Sequence, residues 1–218
     1  MKSQKTLRRP LALSAAAVAA TAFAGPRAVA ATPAPPAQTQ GSPVHLKKPL
    51  GRLGSLTNLI VQRLLVSDLV AAAKFGTGTP INDPAREQQA LGEVRQQAIT
   101  LGLDPDETVA FFQGQITASK IVQEGLFAEW TAHPNEAPTA RPDLSKIRAQ
   151  LDQLTTELLQ ELKATLFVRG TLIGCAEELT LSKQWITALD HVDLLHRQAL
   201  AAAMQSVCTG PSKRRKRS

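Results

Sequence analysis

The sequence contains no G-x-S-x-G, no glycine-rich phosphate loop and no H-E-x-x-H. That removes the visible machinery of nucleophilic and metal-assisted catalysis. Its four histidines (His45, His133, His191 and His196) show no metal-ligand spacing, and His191 and His196, five residues apart, fall on different faces of a helix. No segment alternates apolar and polar residues as a half-buried strand would, and no repeat at a period of about 20–50 residues is found. Beyond the N-terminal region no stretch reads as apolar enough to cross a bilayer. Aromatic residues are few, tyrosine is absent, and the two cysteines, Cys175 and Cys208, form no C-x-x-C.

An excess of positive charge is also missing from the body of the chain. The formal charge is +7, from 25 basic and 18 acidic residues, but ten of the basic residues lie at the ends. Lys2, Lys5, Arg8, Arg9 and Arg27 precede the domain, and Lys213, Arg214, Arg215, Lys216 and Arg217 follow it. The remainder has 15 basic against 18 acidic residues, which argues against a globally basic nucleic-acid binder. The basic tail reads as a solvated end with loose affinity for anionic surfaces.

What is present at the N-terminus is an export signal. A basic start leads into a short Ala-rich apolar run from Leu11 to Phe23, with small residues at Ala22-Phe23-Ala24 and again at Ala28-Val29-Ala30. Either site is compatible with cleavage, and either the periplasm or full secretion with the destination. Residues 1–30 are therefore expected to be a signal peptide. Residues 31–50, rich in Pro and Ala, follow as a flexible linker, and 210–218 form a disordered basic tail. Export to an oxidising compartment makes a Cys175–Cys208 disulfide the natural expectation, worth roughly 3–4 kcal/mol as an upper estimate.

Residues 51–209 read as one all-α domain of about six helices. Apolar residues from Leu56 to Ala71 repeat at helical spacing, and Gly76 to Pro80 breaks the first helix near Phe75. Asp83-Pro84 opens a second helix that ends at Gly102, and Asp104-Pro105 opens a third that reaches about Trp130. Asp143 caps a fourth, with Leu144, Ile147, Leu151, Leu154, Leu158 and Leu162 as its apolar face. An interruption is expected at 170–174, then helices over about 175–183 and 184–208, with the disulfide joining the start of one to the end of the other.

Several polar residues are not explained by their apolar neighbours. Arg63 and Lys74, eleven residues apart, return to within about 20° of one helix face. Ser119 and Gln123 are an i, i+4 pair. Together with the Asp83-Pro84-Ala85-Arg86-Glu87 helix start, they suggest a cationic pocket between helices. Such a pocket suits a small dianion whose reaction needs electrostatic stabilisation and a fixed shape, not a covalent partner.

From about Leu56 to Cys208 the chain resembles the all-helical chorismate mutases, the exported (gamma) branch in particular. The residues that carry the resemblance are Arg63 in Q-R-L, Lys74 in A-A-A-K-F, and Asp83, Arg86 and Glu87 in N-D-P-A-R-E. Ser119 and Gln123 in S-K-I-V-Q, Arg148 in L-S-K-I-R, and the two cysteines complete the set. The resemblance implies rearrangement of chorismate to prephenate with no cofactor, no metal and no covalent intermediate, by a homodimer whose pocket is complete within each chain. Arg63 and Arg148 would pair with the substrate carboxylates, and Ser119 would help hold one of them. Lys74 would bridge a carboxylate and the ether oxygen, and Gln123 would donate its amide N–H to that oxygen. Glu87, with the backbone near Asp83, would hold the ring hydroxyl, and Arg86 would order that corner. Because an amide donates at any pH, the rate should be nearly flat from about pH 5 to 9, unlike a relative carrying Glu at that position. Read without the resemblance, the same residues also suit a catalytically silent exported module that binds a small acidic ligand or a protein partner.

Overall fold

The computed structural model describes residues 51–187 and 192–208. The expected signal peptide, linker and basic tail, together with His45 and His191, lie outside the described residues. Among the described residues every regular element is helical: α1 (Gly54–Lys74), α2 (Pro84–Leu101), α3 (Pro105–Ala132), α4 (Leu144–Ala164), the single turn α5 (Leu166–Arg169), α6 (Leu172–Thr187) and α7 (Leu194–Met204), with a 3-10 turn at Pro134–Glu136.

Local chemistry sets most of these boundaries. The Asp83 side chain accepts from the backbone N–H of Arg86, and that of Asp104 accepts from both Asp106 and Glu107. Asp143 caps α4 in the same way through Ser145. Each satisfies N–H groups that a helix start leaves without partners. Gly102 ends α2 at φ 75°, a left-handed conformation that costs glycine nothing.

The last third of the chain departs from the expected boundaries. Gly174 lies inside α6, which runs on to Thr187 without a break near residue 183, and α7 begins only at Leu194. The true start signal is Asp193, whose carboxylate accepts from the N–H of His196. The disulfide joins Cys175, in the first turns of α6, to Cys208 beyond α7, with their Cα atoms 5.8 Å apart.

The core is built around α1. Leu56, Ile60, Val61 and Leu64 are buried against Phe111, Phe112, Ala118 and Val122 of α3 and Leu158, Leu159 and Leu162 of α4. By length and composition α1 would pass for a membrane span, contrary to the expectation from the sequence. Half of that stretch is covered by the rest of the domain, and it carries Arg63 and Lys74 toward a cavity, which is the arrangement of a core helix. α7 packs closely on α3: a Cβ at Gly114 would lie 3.1 Å from the carbonyl oxygen of Ala202. Nearby, Gln115 of α3 donates to the carbonyl of Ala203 at 2.7 Å. Arg169, 3 % exposed, donates to the carbonyls of Leu162 and Val207, tying the end of α4 to the segment after α7. Burial lowers its pKa, opposed by the charge of Glu107, and the two carbonyls answer its polar demand.

Candidate active site

A cavity of about 250 Å³ opens between α1, the start of α2, α3 and α4. All eight residues expected to bind a ligand line it: Arg63 and Lys74 from α1, Asp83, Arg86 and Glu87 around the α2 start, Ser119 and Gln123 from α3, and Arg148 from α4. The eleven-residue spacing does bring Arg63 and Lys74 to one face. Lys120, Asp152 and Thr155 also line it, and none was singled out from the sequence. The lining carries five cations (Arg63, Lys74, Arg86, Lys120 and Arg148) against three carboxylates (Asp83, Glu87 and Asp152), an excess of two positive charges.

Arg63 is partly buried. Its Nη1 donates to the Leu151 carbonyl at 3.3 Å and to Thr155 Oγ1 at 3.4 Å, and its Cζ stands 5.9 Å from the centroid of Phe112. Burial pushes its pKa down to about 10, partly offset by Asp152. The long bonds and the desolvated charge leave the guanidinium with an unmet demand for an anion.

Lys74 closes on its own loop. Its Nζ donates to the carbonyls of Pro80 at 3.0 Å and Ile81 at 3.3 Å, just before the Asp83 cap. Its pKa lies below the ordinary lysine value, first through burial; Arg148 and Lys120 depress it further, while Asp83 and Glu87 oppose them. Its Nζ is thus held by neutral carbonyls.

Gln123, 4 % exposed, donates from Nε2 to Ser119 Oγ at 3.1 Å and to the Ser119 carbonyl at 3.2 Å. Its Oε1 is buried with no hydrogen-bond partner. The amide therefore points its N–H groups back into α3, not outward as the expected role requires, and leaves an orphan acceptor behind. Glu87 is also differently engaged: Lys120 Nζ sits 2.7 Å from its Oε1 and 2.8 Å from its Oε2. Arg86 reaches Gln89 Oε1 at 3.0 Å, and Asp83 serves as the helix cap. Arg148 is exposed at the cavity edge.

Two of the unforeseen residues carried a faint signal. Asp152 and Thr155 follow Arg148 at i+4 and i+7, one face of α4. Lys120 carried none, because its partner lies 33 residues away on another helix. Phe75, Phe127 and Trp130, none of which lines the cavity, form an edge-to-face cluster with centroids 5.3 Å apart for both Phe75 pairs, which is a packing role.

Comparison with known proteins assigns this helical domain, with its cationic pocket, to a class of isomerase. The family model for chorismate mutase type II matches residues 55–124. A secreted chorismate mutase of Mycobacterium tuberculosis is 32% identical over 171 residues, covering 77% of this chain and 84% of that one. The chain belongs to the chorismate mutase family. A secreted chorismate mutase of Mycolicibacterium smegmatis is also 32% identical, over 168 residues, with 77% and 92% covered. The crystal structure of chorismate mutase from Burkholderia thailandensis superposes with a TM-score of 0.67 at 35% identity, over 72% of this chain and 99% of that one.

Proposed function

We propose that this chain is an exported mutase that rearranges chorismate to prephenate in the cavity between α1, α2, α3 and α4, without a covalent intermediate. The observation that carries this is the convergence of eight residues, seven on four helices and the Asp83 cap, on one pocket, with two positive charges in excess, the complement of a dicarboxylate. Arg63 and Arg148 pair with the carboxylates, where a guanidinium forms bidentate bonds that a lysine cannot. Ser119 holds one carboxylate. Glu87, with the backbone near Asp83, takes the ring hydroxyl, and Arg86 orders that corner.

Charge develops on the ether oxygen as its bond to the ring breaks. Lys74 reaches that oxygen from α1, giving up the Pro80 and Ile81 carbonyls. Gln123 turns its amide so that an N–H faces the oxygen from the α3 side, exchanging its bonds to Ser119 for one to the substrate. Donors aimed at developing charge in a dry site each contribute about 3–4 kcal/mol by deletion. No proton changes hands, so the chemistry rests on shape and charge alone.

The export signal supports an organisation of signal (1–30), linker (31–50), mutase domain (51–209) and basic tail (210–218), and the secreted relatives support delivery outside the cytoplasm. Mass spectrometry of exported protein distinguishes cleavage after Ala24 from cleavage after Ala30. Membership of the family supports a homodimer.

The test is chorismate consumption by purified, oxidised protein beside Lys74→Ala. Conversion to prephenate that falls about 100- to 1,000-fold in the variant is the expected result. Binding of chorismate without turnover by the unmodified protein would replace the enzyme with a silent ligand-binding module.

A further inference from the structure

We propose that Ser67, which does not line the cavity, is a positioning residue that fixes Ser119 as a hydrogen-bond donor toward the bound anion. The inference rests on the assignment of Ser119 to a substrate carboxylate and adds a residue behind it. Ser67 follows Arg63 by four on α1 and is 1 % exposed. Its hydroxyl lies 2.9 Å from Ser119 Oγ, across the α1–α3 interface.

A serine hydroxyl has one hydrogen and two lone pairs. At Ser119 one lone pair receives the Ser67 O–H and the other the Gln123 N–H, at 2.9 and 3.1 Å. With both acceptor sites filled before substrate binds, the Ser119 hydrogen is left for the cavity, where an anion accepts it; after Gln123 turns away, the Ser67 O–H still fills one of them. An anion there also selects the direction of the Ser67–Ser119 bond, since Ser119 cannot donate to both.

The alternative open to any hydroxyl on a helix is to donate to the carbonyl four residues back. The threonines of α3 do this: Thr108 to Asp104 at 2.7 Å, Thr117 to Gln113 at 3.0 Å and Thr131 to Phe127 at 2.6 Å. Ser119 instead engages Ser67 and Gln123. When Gln123 turns its amide to the substrate, Ser67 is the contact that still keeps the Ser119 hydroxyl from falling back onto its own helix.

The test is a double-mutant cycle of Ser67→Ala, Ser119→Ala and the pair, with kcat and KM measured for chorismate and thermal unfolding followed for each protein. Ser119→Ala should raise KM with kcat nearly kept, as loss of a carboxylate contact does. Ser67→Ala should raise KM by about two- to tenfold, the range of one hydrogen bond. In the Ser119→Ala background the same change should do nothing further. Equal losses in both backgrounds, or no loss in the single variant, would overturn the positioning role while leaving Ser119 in place. A silent Ser119→Ala would remove the carboxylate assignment itself, and the inference with it.

Discussion

Lys120 Nζ lies within 2.8 Å of both carboxylate oxygens of Glu87, a two-pronged pair that joins α3 to the first turn of α2. Both side chains are mostly covered, at 26 % and 20 % exposure, so the pair is less screened than a surface bridge. Lys120→Ala should cost about 1 kcal/mol of stability, read as a fall in the denaturation midpoint. It should also raise KM for chorismate, because the freed Glu87 carboxylate is no longer fixed beside the ring-hydroxyl position. An unchanged KM would mean that the pair only braces the helices.

The alkaline limit of the enzyme is expected to come from Lys74, together with Arg63, whose pKa burial pushes down to about 10. Burial and two neighbouring cations hold the pKa of Lys74 below the usual lysine value, so its charge is lost at lower pH than that of a free lysine. kcat/KM should therefore decline on the alkaline side before about pH 10.4, where an unperturbed lysine titrates. Stopped assays at constant ionic strength measure this, and a profile level through pH 10.5 would remove Lys74 from the chemistry.

On the acid side the proposed role of Gln123 decides the profile. An amide donates irrespective of pH, and the rate should be level down to about pH 5. Gln123→Glu converts this donor into one that works only when protonated. Its kcat should rise steeply toward acid, with a midpoint above the ordinary Glu value of about 4.3 because the position is buried. Gln123→Ala should lower kcat far more than it raises KM, by about 100-fold or more.

His196, which does not line the cavity, is expected to act on stability. It is 5 % exposed, with Nδ1 2.8 Å from Asp193 Oδ1 and Nε2 2.9 Å from Asp68 Oδ1, so α7 is pinned to α1. The hydrogen bond to Asp68, against burial and helped by Asp193, raises its pKa to about 9. The folded state thus binds this proton more tightly than the unfolded chain. Its contribution is complete below about pH 6.5, the unfolded value, and is lost as pH rises through about 9. Both carboxylates are partly exposed, and the loss should be on the order of 1–2 kcal/mol. Urea midpoints at pH 6 and pH 9.5 should differ for the unmodified protein and converge in His196→Ala.

The Cys175–Cys208 disulfide stands apart from the cavity-lining residues. Replacing both cysteines with serine should lower stability by about 2–4 kcal/mol, while activity per folded molecule stays within twofold. A larger loss of kcat would show that the site depends on the bridge.

The parts of the fold legible in the sequence were those written in local chemistry. Asp83, Asp104 and Asp143, with prolines at 84 and 105 and glycine at 102, marked helix boundaries because a cap needs only its own next few residues. Asp193 is the same kind of signal, yet with it passed over the last helix is expected from about residue 184, and Gly174 reads as a break although a glycine can sit inside a helix. Arg63 and Lys74, which line the cavity, were visible because cations on an apolar helix face are out of place. Ser67 and Lys120 were not, since each looks ordinary on its own helix. Their meaning lies in partners 52 and 33 residues away, which only the packing of α3 against α1 and α2 supplies.

Twenty residues of a single chain line the cavity. If that pocket needs nothing from a neighbouring copy, the rate should stay proportional to protein concentration however thin the solution becomes. A dimer would then be a matter of durability, and a catalyst released into an unbounded volume would keep its turnover after its subunits had drifted apart.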